Sequence, residues 1–186
     1  MLQLNFLSFP TLETDRLILR AHTNADANAL FALRTSDVVM QYIDREKPKN
    51  IKEIEEKIAL MNKGFNENTC LVWVISLKEN PIEMIGEIGF YRTDYGNYRA
   101  EIGYMLFPEY WRKGIIAEAL KKVIAFGFNE MKLHSISANI NPANNASRQI
   151  LLKHQFVKEA YFKENYYFNG KFLDSEIYSL LGNNVK

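Results

Sequence analysis

The stretch EYWRKGIIAEAL, Glu109 to Leu120, sets two adjacent cations, Arg112 and Lys113, and a glycine, Gly114, between a β-prone run, RAEIGYML, and a helix-forming run. An α-helix opens with backbone N–H groups that have no partner and with the positive end of its dipole, so its first turn can hold an anion, most often a phosphate. Arg112 and Lys113 add formal charge at that place; elsewhere the same pair would read as a solvated surface couple. Their position between strand and helix, beside Gly114, favours phosphate contact. Other chemistry is poorly supplied. His22, His134 and His154 lie far apart with no cysteine or acidic ligand spacing around them, which predicts no metal site. Cys70 stands in an apolar run and reads as core rather than nucleophile. Neither a G-x-S-x-G elbow nor a G-x-x-x-x-G-K-[ST] loop occurs, which argues against a serine hydrolase or a P-loop nucleotidase.

The elements that must position this loop follow from periodicity. DRLILR, Asp15 to Arg20, is a short strand, and TNADANALFALR is a helix that begins behind Thr23 with Asp26 as a capping-box acid. IKEIEEKIALMNKGF repeats Ile51, Ile54, Ile58 and Met61 on one face and predicts a second helix stopping at Gly64. TCLVWVISL, IEMIGEIGFYR and RAEIGYMLF are β-rich runs joined by short polar turns, an antiparallel meander whose third strand stops near Pro108. A helix from Gly114 to about Met131 carries Leu120, Val123, Ile124, Gly127 and Phe128 on one face. HSISANI is a strand, NNASRQILLKH a helix with Ala146, Ile150 and Leu151 inward, and the tail alternates as two strands turning at Asn169 and Gly170. The predicted order is β-α-α-β-β-β-α-β-α-β-β, one mixed α/β (α+β) sheet.

Composition narrows the function further. The chain has 186 residues, enough for one well-buried core, so a single domain spanning 1–186 is expected. Its net charge of +1, with acids and bases intermixed, supplies no electrostatic footprint for nucleic acid or membrane. AYFKENYYFNGKF interleaves aromatics with Lys163 and Lys171, but such alternation in a hairpin is strand packing more often than a stacking platform for RNA. A single cysteine excludes an internal disulfide, and the N-terminal run has neither the basic region nor the apolar length of a signal peptide. No run approaches the roughly 18 apolar residues of a membrane span. The expected setting is the cytoplasm.

Taken in order, LETDRLILR, AEIGYML, YWRKGIIAEAL and NPANNASRQILLKHQF resemble the GNAT superfamily of N-acetyltransferases, in its RimJ/RimL-like branch, over nearly the whole chain. The resemblance implies the GNAT acyl-CoA N-acyltransferase fold, acetyl-CoA as cosubstrate, and an amine acceptor: a peptide N-terminus or a small amine. It assigns pyrophosphate contact to Arg112, Lys113, Gly114, Ile115 and Ile116, strand-like pairing with the pantetheine arm to the backbone of Tyr104, Met105 and Leu106, and a pantetheine amide contact to Asn144, which could also be the N-cap of its helix. Glu101 is implied as the general base acting through a water, with Glu87 on the neighbouring strand as the substitute. Ser147 is the candidate proton donor to the leaving thiolate, or else a helix-start serine bonded to backbone. The chain departs from the family pattern at Trp111 and Ile116 in the cofactor loop, at Leu151 where many members carry a catalytic Tyr, and at Gln155 where a helix-ending Gly is usual. These departures keep a second expectation open, a catalytically silent acyl-CoA-binding sensor. The last hairpin also admits a homodimer.

Overall fold

The computed structural model of the protein describes residues 6–182. Eight strands form one sheet: β1 (Leu12–Glu13), β2 (Leu17–Arg20), β3 (Leu71–Leu77), β4 (Gly86–Asp94), β5 (Arg99–Leu106), β6 (Ser135–Ile140), β7 (Val157–Phe168) and β8 (Lys171–Leu181). Their spatial order is β1-β2-β3-β4-β5-β6-β8-β7. Every neighbouring pair is antiparallel except β5 and β6, which run parallel because the helix between them returns the chain to the same end of the sheet. The helices are α1 (Ala27–Thr35), α2 (Asp37–Met40), α3 (Ile51–Asn66), α4 (Ile115–Asn129) and α5 (Asn145–Lys153).

The sheet is covered on both faces. On one, α4 and α5 bury Ile115, Leu120, Val123 and Leu151 against Trp73, Phe90, Ile102 and Ile136. On the other, α1 to α3 bury Leu30, Leu33, Ile54 and Ile58 against Val74, Met84 and Met105. β3 is therefore buried along almost its whole length, and its sequence LVWVISL is a continuous apolar run rather than an alternating one. The mixed α/β order expected from periodicity is present, with two short additions, β1 and the one-turn α2, both below the length at which a period can be read. The turn at Asn169 and Gly170 has φ of 46° and 79°, the double left-handed form that a two-residue hairpin requires.

Two local expectations are corrected. Gly64 does not end α3, which continues to Asn66. A Cβ on Gly64 would lie 2.4 Å from Cys70 Sγ, so this glycine lets the helix pass the start of β3. In α5, Ala146 is exposed and Ser147 is buried in its stead.

Candidate active site

β5 and β6 pair over only three positions, Arg99 with Ser135, Ala100 with Ile136 and Glu101 with Ser137. Beyond Glu101 they part. On its other edge β5 stays paired with β4 up to Leu106 opposite Gly86, so the edge of Ile102–Leu106 that faces β6 has no strand partner among the described residues. A parallel pair that opens toward its carboxyl ends forms a crevice in which an extended ligand can take the place of a strand.

The chain reaches the same end of the sheet through the loop after β5. Trp111 Nε1 donates to Leu106 O at 2.8 Å and holds the end of β5. Arg112 and Gly114 both adopt left-handed φ, 60° and 77°, before α4 begins at Ile115. Such a turn into a helix gathers successive N–H groups on one side, and the first-turn N–H groups of α4 have no intrahelical acceptor. The first such bond is Glu118 N to Gly114 O, at 3.0 Å. Arg112 and Lys113 are exposed, with Lys113 Nζ 5.5 Å from the centre of the Tyr110 ring. Ile115 and Ile116 point their side chains into the core, so only backbone from these two residues faces the loop. The branched side chain at 116, where the family pattern has Gly or Ala, therefore leaves the N–H surface open.

This loop is braced from far away in sequence. Arg16 donates through Nη1 to Lys113 O at 3.0 Å and through Nε to Glu118 Oε2 at 2.7 Å, while Thr14 Oγ1 donates to Glu118 Oε1 at 2.5 Å. Glu118 would otherwise place a bare negative charge in the first turn of α4. Partial burial pushes its carboxyl up, and the Thr14 and Arg16 bonds more than reverse this and hold it below its ordinary range.

Across the parted strands, α5 begins at Asn145 with Asn144 as its N-cap, whose Oδ1 accepts from Ser147 N at 3.0 Å. Ser147 Oγ lies 2.8 Å from Tyr104 Oη, joining α5 to β5. Burial pushes the Tyr104 phenol up to about 12, against a smaller pull downward from Ser147. The Tyr104 side chain is the site residue that sequence reasoning missed, having considered its backbone alone. A signal existed: Ile102, Tyr104 and Leu106 share one face of β5, and a phenol on a core face needs a hydrogen-bond partner. Leu151 is wholly buried in the core beneath α5. Gln155 takes φ of 65°, and Phe156 N donates back to Leu151 O at 3.1 Å, a helix stop of the kind usually given to glycine.

The two candidate carboxylates occupy different environments. Glu101, on the last paired position of β5, keeps its side chain 33% exposed, 3.5 Å from Arg92 Nη1. Glu87, on β4 opposite Met105, is fully buried, in contact with Arg34 Nη2 and 3.3 Å from His22 Nε2. Burial alone would raise its pKa, but the Arg34 guanidinium and His22 outweigh it and bring the carboxyl down to about 2. Above this face, Tyr166 of β7 donates to the Asp44 carboxylate in the loop between α2 and α3, so the loop and the last hairpin meet. Because β6 ends at Ile140 opposite Glu176, the Lys171–Ser175 part of β8 overhangs the end of β6. Among the described residues, no three His, Cys, Asp or Glu side chains converge as metal ligands, and no helix is long and apolar enough to cross a membrane.

A mixed sheet parted at one parallel pair, with a helix opening through a left-handed loop at the parted end, defines an acyl-CoA transferase scaffold. Residues 16–157 match the family model described as an acetyltransferase (GNAT) domain. The chain is 38% identical over 173 residues to the uncharacterized N-acetyltransferase YoaA of Bacillus subtilis, covering 93% of this chain and 97% of that one. It is 27% identical over 128 residues to the ribosomal-protein-serine acetyltransferase of Escherichia coli, covering 69% and 68%. Among solved structures, RimL, the ribosomal L7/L12 α-N-protein acetyltransferase in complex with coenzyme A, superposes with a TM-score of 0.84 at 20% identity, covering 92% of this chain and 98% of that one. The protein belongs to the GNAT family and is an acetyl-CoA-dependent N-acetyltransferase with RimL/RimJ-like relatives.

Proposed function

We propose that the protein acetylates a primary amine by direct attack on acetyl-CoA, with the α-amino group of a peptide or protein as the preferred acceptor and small amines as the alternative. The observation that carries this reading is the coincidence, at one end of the sheet, of an unpaired β5 edge and a left-handed loop opening into α4. The donor set fits the cosubstrate. The N–H groups from Arg112 to Ile116 suit a pyrophosphate, with Arg112 and Lys113 supplying charge. The free edge at Tyr104, Met105 and Leu106 suits an amide-bearing arm laid along it, and Asn144, whose side-chain carbonyl already accepts from Ser147 N as the N-cap of α5, keeps its amide group to offer to that arm. When bound, acetyl-CoA supplies an activated acetyl thioester; the chain's own residues orient it, polarise its carbonyl through backbone N–H and manage two protons.

The first proton is that of the amine. Glu101 receives it through a water, because Glu87, held at about 2 and sealed beneath α1, has neither the basicity nor the access for the task. Freeing an α-amino group near 8 costs about 1 kcal/mol at neutral pH, against roughly 4 to 5 for a lysine-like amine near 10.4. A site whose reachable carboxylate is ion-paired with Arg92 suits the easier amine. The names of the E. coli relative and of RimL point the same way. The second proton concerns the departing sulfur, which Ser147 serves as hydrogen-bond donor.

The same reading takes residues 1–186 as one acetyltransferase domain acting in the cytoplasm, with pairing of two copies through the exposed aromatics of the last hairpin, such as Tyr167 and Phe172. The test is release of CoA thiol from acetyl-CoA against peptides with free N-termini, polyamines, free amino acids and aminoglycosides. Peptide turnover is expected. Turnover with one small amine alone would replace the acceptor, and silence across the panel with tight acetyl-CoA binding would favour a sensor.

A further inference from the structure

We infer that Tyr104 is a positioning residue that aims the Ser147 hydroxyl into the parted strands by donating its own phenolic hydrogen to Ser147 Oγ. The inference rests on the proposed role of Ser147. A serine hydroxyl carries one hydrogen and rotates freely, and a serine in the first turn of a helix commonly turns that hydrogen onto nearby backbone, where it can serve no ligand. Here Ser147 Oγ has no backbone partner among the described residues; its partner is Tyr104 Oη, at 2.8 Å. The bond spans the crevice, since Tyr104 lies on the unpaired part of β5 and Ser147 on the helix that follows β6. Two arrangements are open to it. If Ser147 donates, the phenolic hydrogen is left without an acceptor among the described residues. If Tyr104 donates, both oxygens are used and the serine hydrogen is free to point toward a ligand in the crevice.

The second arrangement also matches the chemistry. As the carbon–sulfur bond breaks, the electron pair stays on sulfur, and Ser147 O–H donates to it while Tyr104 O–H strengthens that donation through the shared oxygen. No proton leaves the phenol. Held at about 12, it is a weaker acid than a thiol near 8.5 by more than about a thousandfold, so transfer from Tyr104 would run uphill. Tyr104 thus sets a direction, and the thiol takes its proton from the pool that the amine feeds. Leu151, where many GNAT members carry the catalytic tyrosine, is wholly buried, and the Tyr104–Ser147 pair supplies hydroxyls from a different element.

The experiment is a double-mutant cycle on steady-state acetyl transfer with Tyr104→Phe, Ser147→Ala and the pair, with CoA affinity by calorimetry and thermal midpoints as controls. Tyr104→Phe keeps the ring and the β5 backbone, so the KM for acetyl-CoA is expected to hold while kcat falls about tenfold, the worth of one hydrogen bond. In the Ser147→Ala background the same change is expected to alter kcat less than about twofold. Full activity of Tyr104→Phe, or an equal loss in both backgrounds, overturns the inference and leaves Ser147 in place. Full activity of Ser147→Ala removes the role assigned to Ser147 itself. Should Tyr104→Phe lower the thermal midpoint, Tyr104→His restores a ring donor: recovery of kcat supports positioning, and recovery of the midpoint alone overturns it.

Discussion

Glu87 tests the electrostatics of the fold. Its carboxylate is buried on β4 and faces Arg34 of α1, His22 of the segment after β2, Tyr91 of its own strand and, more distantly, Lys57 of α3. Its folded pKa of about 2 lies below its ordinary value of 4.5. At about 1.4 kcal/mol for each pH unit of displacement, the ionised carboxylate contributes roughly 3 kcal/mol to stability. Because the folded pKa is depressed, that contribution is complete above about 4.5, declines as the pH falls and is gone below about 2. Glu87→Gln keeps the shape but leaves the Arg34 guanidinium buried without its counter-charge, a change that typically costs about 3 to 5 kcal/mol. For a chain of 186 residues this corresponds to a fall in Tm of roughly 8 to 13 °C at pH 7. Thermal unfolding of the two proteins at pH 7, 5, 4 and 3 measures it, and the gap is expected to narrow toward the acid end. A gap under about 1 kcal/mol at pH 7, or one of equal size at pH 3, would refute the account of Glu87 as an ionised structural anchor.

Three further outcomes are expected. Glu101→Gln should lower kcat by about a hundredfold while acetyl-CoA affinity, by calorimetry, stays the same. Gly114→Ala forces a side chain into φ of 77°, at about 1 to 2 kcal/mol, and should weaken CoA binding by about tenfold or more in the same assay. Gln155→Gly relieves a left-handed side chain at the end of α5 and should raise stability by about 0.5 to 1 kcal/mol in urea unfolding, with no change in turnover.

The sequence was most legible where one period governs an element. The start and apolar face of α3, the helix α4 and the hairpin around Asn169 and Gly170 stand where the spacing of Ile, Val and turn residues puts them. It was least legible where a residue serves a partner far along the chain. Gly64 reads as a helix stop because glycine usually is one; its reason for being there, the thiol of Cys70 against the helix, depends on how β3 docks. Ile116 reads as an obstruction in the loop until α4 is seen to turn it into the core. Arg16 carried no signal at all, yet it reaches Lys113 and Glu118, about a hundred residues away. The alternatives Glu101 and Glu87 look alike as strand glutamates and differ in what covers them: helix α1 over one, solvent and Arg92 beside the other. The Tyr104–Ser147 contact joins two elements whose separation is set by where β5 and β6 stop pairing, a distance that no local pattern encodes.

The chain's two tryptophans occupy opposite optical situations. Trp73 is fully buried, edge-on to the rings of Phe9, Phe90 and Phe126, with its indole N–H on Pro10 O, so its emission reports the integrity of the core. Trp111 is 38% exposed in the loop before α4 and anchored to the last residue of β5, so its emission is expected to report on that loop. The two indoles are therefore expected to emit apart, Trp73 to the blue and Trp111 to the red, and under the proposed function only the second should respond to acetyl-CoA. With Trp73→Phe and Trp111→Phe to separate the bands, unfolding and occupancy can be followed in one cuvette without a label.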